Sequence, residues 1–142
     1  MTPTPFQKVY DVFLSNINDL TFIQVDSTDN SLKKRYLLNS IPRFKRCKQN
    51  LSNRDDGNAT FTIELTDEEE LILGLLMVIE YLNPQIISKE NIKQKMSNRD
   101  FNISSQAAHL KQLIDMRKTK QDEVSKLIVD YTYNNADLSE LR

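Results

Sequence analysis

The feature that most constrains the fold is an apolar run within residues 66–84, TDEEELILGLLMVIEYLNP. Between Leu71 and Leu82, every residue except Gly74 and Glu80 is a large apolar or aromatic residue. A helix that is apolar on nearly every side has no face for solvent, so the run predicts a central helix covered by other elements. The run is shorter than the roughly 20 apolar residues that a membrane span requires.

Both ends of this run carry local signals. Thr66 and Glu69 have the spacing of a capping box, in which each side chain accepts a hydrogen bond from the other residue's backbone N–H. The acidic residues 67–70 lie where the helix dipole is positive. Pro84 predicts the helix end, because the residue before a proline is disfavoured in the α conformation. A mid-helix glycine costs roughly 1 kcal/mol, so Gly74 predicts the close approach of a neighbouring backbone.

The composition favours a mainly α fold. The chain has 142 residues, a net charge of −1 and two glycines, and so few glycines disfavour a turn-rich β fold. The simplest organisation is a single helical domain at residues 1–133, followed by a flexible or partner-bound tail at residues 134–142. Cys47 is the single cysteine and fits a reducing compartment. No apolar N-terminal run resembles a signal peptide, so we expect a soluble protein made in the cytoplasm.

Two further helices are predicted before the apolar run. The first has apolar residues at helical spacing, namely Phe6, Val9, Tyr10, Phe13, Leu14 and Ile17. Thr4 and Gln7 predict a capping box at its start. The second covers about residues 31–49, and Pro42 predicts a kink or break near residues 39–40. We expect Ile72, Leu75, Leu76 and Ile79 to form the centre of the core, surrounded by Phe6, Phe13, Ile41, Phe44, Leu110 and Ile114.

The second helix is basic and contains no acidic residue. Its cationic residues are Lys33, Lys34, Arg35, Arg43, Lys45, Arg46 and Lys48. Such a run is often no more than a solvated face. It also suits a surface that meets phosphate or an acidic protein patch. Both interpretations stay open from the sequence.

Residues 59–65 alternate between apolar and polar side chains, which is typical of a strand. The sequence contains no second convincing strand, so we expect at most one short strand in a helical bundle. A lone strand is unstable. It must pair with a partner from the same chain or from another subunit, and the lack of a second strand signal favours another subunit; a plain extended segment is the alternative.

The last helix is predicted to run from Ser104 or Ser105 to about Tyr133, which is longer than a compact domain of this size requires. Its C-terminal half carries an apolar and aromatic stripe of Val124, Leu127, Ile128, Tyr131 and Tyr133. Exposed stripes of this kind mark interaction sites, so we expect partner docking here. The alternative is that the helix folds back and the stripe belongs to the core.

The sequence offers no chemistry that calls for catalysis, a cofactor or a metal. His109 has no second histidine or cysteine at ligand spacing, so a zinc site is not expected. With two glycines, Gly57 and Gly74, the chain has no glycine-rich phosphate loop. We therefore expect a protein that is not an enzyme.

In the order of its elements, the chain resembles the head–tail connector proteins of tailed bacteriophages, also called adaptor, head-completion or neck proteins. The resemblance rests on an amphipathic opener (TPFQKVYDVFLSNINDL), a basic second helix (LKKRYLLNSIPRFKRC) and a central apolar helix behind an acidic cap (FTIELTDEEELILGLLMVIEYLNP). It continues through the connector MSNRDFNISSQAAHLKQL and the long terminal helix.

The resemblance implies a structural virion protein that forms a homo-oligomeric ring of about twelve copies in the phage neck. Such rings join the portal protein to the adjacent neck or tail protein and surround the channel through which DNA passes. The contacts with a neighbouring subunit or the DNA channel would then come from the basic residues above together with Asp67, Glu68 and Glu70. The protein would be synthesised in the host bacterial cytoplasm and would have no membrane partner.

Two other classes fit the sequence less well. One is a small DNA-binding regulator with a helix-turn-helix, in which residues 104–113 would be the recognition helix. The other is a small dimeric interaction protein of phage origin that pairs through its terminal helix. Solution mass together with salt-dependent DNA binding separates these classes from a ring former.

Overall fold

The apolar run forms the first half of a 29-residue helix around which the other elements pack. The structure, a computed structural model, describes residues 2–17, 30–96, 99–100 and 105–134. Its helices are α1 (Phe6–Ser15), α2 (Ser31–Ser40), α3 (Asp67–Lys95) and α4 (Ser105–Asn134), with a 3-10 turn at Ile41–Arg43. Two short strands, β1 (Arg54–Asp55) and β2 (Thr60–Phe61), form a small hairpin. The predicted fold class, a mainly α bundle with a central apolar helix and a long terminal helix, is confirmed.

Helices α3 and α4 form an antiparallel pair. The Tyr131 hydroxyl near the end of α4 lies 2.7 Å from the Glu69 carboxylate at the start of α3. Further along, an Arg117 guanidinium nitrogen lies 3.1 Å from the Asn83 side-chain oxygen. Each helix is about 45 Å long at 1.5 Å per residue. Helices α1 and α2 also pack against α3, so the apolar half of α3 is covered on all sides.

The predicted core is confirmed. Ile72, Leu75, Leu76 and Ile79 are all buried. The residues predicted to surround them, Phe6, Phe13, Ile41, Phe44, Leu110 and Ile114, are buried or packed against the buried cluster. Burial therefore falls on the apolar positions that the sequence indicates.

Gly74 lies where α1 crosses α3, as the sequence predicts. A Cβ atom on Gly74 would lie 2.7 Å from the Cβ of Val12 and 3.3 Å from the backbone nitrogen of Phe13. Side-chain atoms essentially never approach that closely, so any larger residue would push the two helices apart. The glycine is therefore explained by packing rather than by backbone conformation.

The small hairpin differs from the sequence prediction of at most one strand. β1 and β2 pair antiparallel, with Arg54 opposite Phe61. The N-terminal segment adds to the pairing, because Phe61 donates to the Thr4 carbonyl at 2.8 Å and Thr4 donates to the Ile63 carbonyl at 3.0 Å. The segment around β2 therefore finds its partners within the subunit, and it provides no argument for oligomerisation.

Three helix boundaries differ from the prediction. α3 continues through Pro84 to Lys95, because packing along the chain outweighs the missing hydrogen bond of one proline. The second helix breaks at Pro42 as predicted, but only a 3-10 turn follows it. Thr4 does not cap α1. Its hydroxyl is buried and instead accepts a hydrogen bond from the Leu65 N–H at 2.9 Å.

Because α3 continues to Lys95, it is long and apolar enough to pass for a membrane span by length and composition. Of its most apolar stretch, 67% is buried inside the protein, which is the pattern of a core helix. Residues 97–98 and 101–104 of the predicted connector and residues 135–142 of the predicted tail lie outside the described residues.

We predict that Gly74→Ala destabilises the protein by roughly 1 kcal/mol or more. Alanine gains roughly 1 kcal/mol in helix propensity, but overpacking a filled interface costs about 1–3 kcal/mol, and the contact with Val12 is closer than normal packing allows. Urea unfolding followed by circular dichroism measures the change. Gly57→Ala is the matched control, because a Cβ there meets its nearest atom at an ordinary 3.4 Å. Combining Gly74→Ala with Val12→Ala should restore part of the loss; a Gly74→Ala protein more stable than the wild type would contradict the packing explanation.

Candidate functional site

The end of the bundle where α3 begins contains a buried polar cluster of Cys47, Gln49, Glu69 and Tyr131. At its centre, the Glu69 side chain is 1% exposed. One carboxylate oxygen accepts from the Thr66 N–H at 2.9 Å and the Gln49 amide at 2.6 Å. The other accepts from the Tyr131 hydroxyl at 2.7 Å and the Cys47 thiol at 3.5 Å. The predicted capping box of Thr66 and Glu69 is therefore present, but its glutamate also organises three other side chains.

The cluster joins segments that are distant in the chain. Tyr131 lies in the last turns of α4, and its hydroxyl accepts a hydrogen bond from the Lys48 N–H at 2.8 Å. Its ring packs edge-on against Phe44, with the centroids 5.3 Å apart. The Gln49 amide also donates to the Glu64 carbonyl at 2.7 Å. Residues 44–49, the start of α3 and the end of α4 are thus held together by one carboxylate and one phenol.

The environment fixes the protonation of each group. Burial raises the pKa of Glu69, but the hydrogen bonds donated by Thr66, Tyr131, Gln49 and Cys47 outweigh it, so its pKa lies below the ordinary value of 4.5. Burial, with the nearby Glu69 charge, raises the pKa of Cys47 to about 11. Burial likewise raises the pKa of Tyr131. At neutral pH the cluster is a carboxylate surrounded by protonated donors, which suits positioning rather than proton transfer.

Lys33 does not belong to a surface patch. It is 4% exposed, and its ammonium lies 5.8 Å from the centre of the Tyr10 ring, within range of a cation–π contact. The prediction that Lys33 faces a neighbouring subunit or the DNA channel is therefore wrong. Lys33 is buried because it lies on the face of α2 that packs towards α1.

Lys34 and Arg43 have partners within the subunit. The Lys34 ammonium donates to the Asp56 carbonyl oxygen in the hairpin turn. The Arg43 guanidinium forms an ion pair with Glu80, whose side chain is 10% exposed. Arg43 thus compensates a nearly buried carboxylate, while 55% of its own side chain stays exposed.

The other predicted cations are available to a partner. Arg35, Lys45, Arg46 and Lys48 are exposed, and none forms an ion pair with a described residue. Three of them form what we call the basic loop, Lys45, Arg46 and Lys48. Because Cys47 faces inward to Glu69, its neighbours in the basic loop stand at the surface.

The acidic residues Asp67, Glu68 and Glu70, which we call the acidic cap, lie on the first turn of α3. Asp67 is exposed, and Glu68 and Glu70 are partly exposed. Partial burial raises the pKa of Glu70, although the charge of Lys8 on α1 opposes this. The acidic cap thus borders α1, whereas the basic loop borders the end of α4. The two surfaces share one end of the bundle but have different neighbours.

The C-terminal stripe of α4 is divided between core and surface. Val124 is 4% exposed and Tyr131 is 2% exposed, so the prediction that these two lie beyond the core and dock a partner is wrong. Because α3 is 29 residues long, it covers α4 along nearly its whole length. Leu127 and Ile128 are partly buried. Tyr133 is 77% exposed and remains available.

Among the described residues, no three histidine, cysteine, aspartate or glutamate side chains lie close enough to hold a metal ion. His109 is exposed on α4. The sequence prediction missed the cluster because its members come from three distant segments. The one available signal was Glu69 itself, because a capping glutamate in the first turn of a helix without a solvent face lies close to the interior. No protein-family model, curated protein or solved structure matches the chain.

We predict that Tyr131→Phe lowers the free energy of unfolding by about 1–3 kcal/mol, because the Lys48 N–H loses its acceptor and the buried Glu69 loses a donor. Packing against Phe44 would be kept. Chemical unfolding measures the change, with Tyr133→Phe as the matched control, which should lie within about 0.5 kcal/mol of the wild type. Equal stability of the two variants would show that the cluster does not hold α4 in place.

We also predict that Glu69 makes stability pH-dependent. Its folded pKa lies below its ordinary value of 4.5, so the ionised carboxylate stabilises the folded state above that pH and the stabilisation is lost as the pH falls below it. The advantage of the wild type over Glu69→Gln should therefore be larger near neutral pH than in acid. Glu90→Gln, at an exposed position on α3, is the control for the substitution itself and should change the free energy of unfolding by no more than about 0.5 kcal/mol. A constant advantage over Glu69→Gln at all pH values would contradict the assignment.

Proposed function

We propose that the chain is a structural subunit of the neck of a tailed bacteriophage, where identical copies form a ring between the portal protein and the next neck or tail protein. The observation that carries the proposal is the pairing of two exposed, oppositely charged surfaces on one end of a rigid helical bundle. Neither the basic loop nor the acidic cap is neutralised by ion pairs with described residues. Such a subunit is suited to contacts with further copies of itself.

Ring closure explains why the two surfaces differ in sign. In a closed ring each subunit presents one face to the preceding copy and a different face to the following copy, so the two faces must complement each other. The basic loop and the acidic cap are complementary in charge, and we assign one of them to each of the two contacts. The proposal also accounts for the buried cluster, because Glu69 and Tyr131 fix the positions of both surfaces relative to each other.

The order of elements supports the same proposal. An amphipathic opener, a basic helix, a central apolar helix behind an acidic cap and a long terminal helix characterise the connector proteins that the sequence resembles. The chemistry of the buried cluster, with a thiol pKa near 11 and a carboxylate already ionised, offers no group poised for catalysis at neutral pH. A ring of about twelve copies around the DNA channel is the assembly that we propose.

We predict that reversing the basic loop with Lys45→Glu, Arg46→Glu and Lys48→Glu abolishes assembly while the subunit stays folded. Arg43 is left unchanged, because its removal would leave the nearly buried Glu80 carboxylate without its ion-pair partner. Sedimentation velocity, alone and with the portal protein of the same phage, measures assembly, and circular dichroism measures folding. The matched control reverses Lys111, Lys118 and Lys126, which are exposed on α4 and change the net charge equally.

The control should assemble like the wild type. A wild-type chain that stays monomeric or dimeric even with the portal protein would contradict the ring. Duplex DNA binding with a steep salt dependence in such a protein would instead favour the regulator class. Normal assembly of the basic-loop variant would show that these cations do not form the contact.

A further inference from the structure

An open groove lies between α2 and the second half of α3. It has a volume of about 880 Å³ and is lined from both helices. Leu32 of α2 and Ile87 of α3 face it with 37% and 57% of their surfaces exposed, and Pro84 is exposed between the covered and uncovered parts of α3. Exposed apolar side chains in a concave surface are typical of a peptide-binding groove.

The groove carries positive charge. Arg35 and Lys95 line it, both are exposed, and neither forms an ion pair with a described residue. The one acidic residue in its lining, Glu80, is already paired with Arg43. The groove therefore suits a segment that combines apolar side chains with carboxylates.

Residues 135–142 of this chain, NADLSELR, have that chemistry. Leu138 and Leu141 are three residues apart, so both can face one side of a helical turn. Asp137 and Glu140 each directly precede one of the leucines. The segment thus offers two apolar side chains and two carboxylates to a groove with an apolar centre and two free cations.

The leucines of the segment cannot reach Ile87 in the groove of their own subunit. Tyr131 lies beside Glu69, and Ile87 is 18 residues further along α3, which corresponds to about 27 Å. α4 continues beyond Tyr131 to Asn134, away from the groove. From Asn134, a fully extended chain carries Leu138 at most about 14 Å and Leu141 at most about 25 Å. Both leucines fall short of Ile87 while α4 stays helical.

We propose that residues 135–142 of one copy dock into the groove between α2 and α3 of the adjacent copy. This inference rests on the proposed function, since it names a second contact between neighbours of the ring. Leu138 and Leu141 pack against Leu32 and Ile87, and the carboxylates of the segment lie near Arg35 and Lys95. The contact is head-to-tail, as a closed ring requires.

The test is a disulfide between two copies of the full chain, both carrying Cys47→Ser. One copy carries Ser88→Cys, at a groove-lining position, and the other carries Ser139→Cys, which leaves both leucines in place. On mild oxidation of the mixture, we expect a crosslinked dimer on non-reducing gels to form about tenfold faster than in a control mixture. That ratio corresponds to about 1.4 kcal/mol of preferred contact. The control copy carries Glu90→Cys, which is also exposed on α3 but does not line the groove.

Charge exchange separates a specific contact from chance collisions. Arg35→Glu in the groove copy should slow the crosslink, and Glu140→Arg in the other copy should restore it. Equal crosslinking rates at positions 88 and 90 would overturn the inference. Protection of a cysteine at position 88 from alkylation only after the portal protein is added would also overturn it, because the groove would then belong to that partner.

The outcomes keep this inference apart from the proposed function. If rings assemble normally but crosslinking is not selective for position 88, the docking contact is contradicted and the proposed ring is not. If crosslinking is selective and charge-dependent but the protein never exceeds a dimer, the docking contact is supported and the proposed ring is contradicted.

Discussion

The structure depends on one constraint, which is that the first half of α3 has no face for solvent. Each of its sides must be covered, and α1, α2 and α4 share this task. The close contact at Gly74 lets α1 approach. α4 covers a second side, and the hydrogen bond that Tyr131 donates to Glu69 fixes the C-terminal end of α4 against the start of α3. The burial of a carboxylate is costly unless it is fully hydrogen-bonded, and here four donors satisfy it.

The same constraint organises the charges of the surface. Lys33, buried on the inner side of α2, and Arg43, in the following turn, are used within the subunit, in contacts with Tyr10 and Glu80. The cations of the basic loop form no ion pair with a described residue. The distribution of free charge is therefore a consequence of how α3 is covered, and it leaves one end of the bundle able to engage an oppositely charged surface.

The sequence predicts those features that local chemistry determines. Examples are the apolar run, the capping box and the glycine contact. Each depends on residues in adjacent turns or on one packing contact, so the roles of Thr66 and Gly74 could be predicted from their positions in the sequence. The continuation through Pro84, the pairing of β2 with the N-terminal segment and the burial of Tyr131 depend on which distant segments meet. A proline signal is a preference of roughly 3 kcal/mol, and packing along a 29-residue helix can exceed it. For the same reason, the sequence does not distinguish the buried Lys33 from the exposed cations near it in the chain.

The division of α3 near Pro84 also determines which substitutions a chain like this can accumulate over time. Between Ile72 and Leu82 every position is buried, so only replacements that conserve volume and polarity would persist. Beyond Pro84, apart from the buried Ile86, most positions of α3 are open to solvent and free to drift. If residues around Ile87 nevertheless resisted change among descendants of this sequence, the cause would have to be recognition, because folding imposes little there.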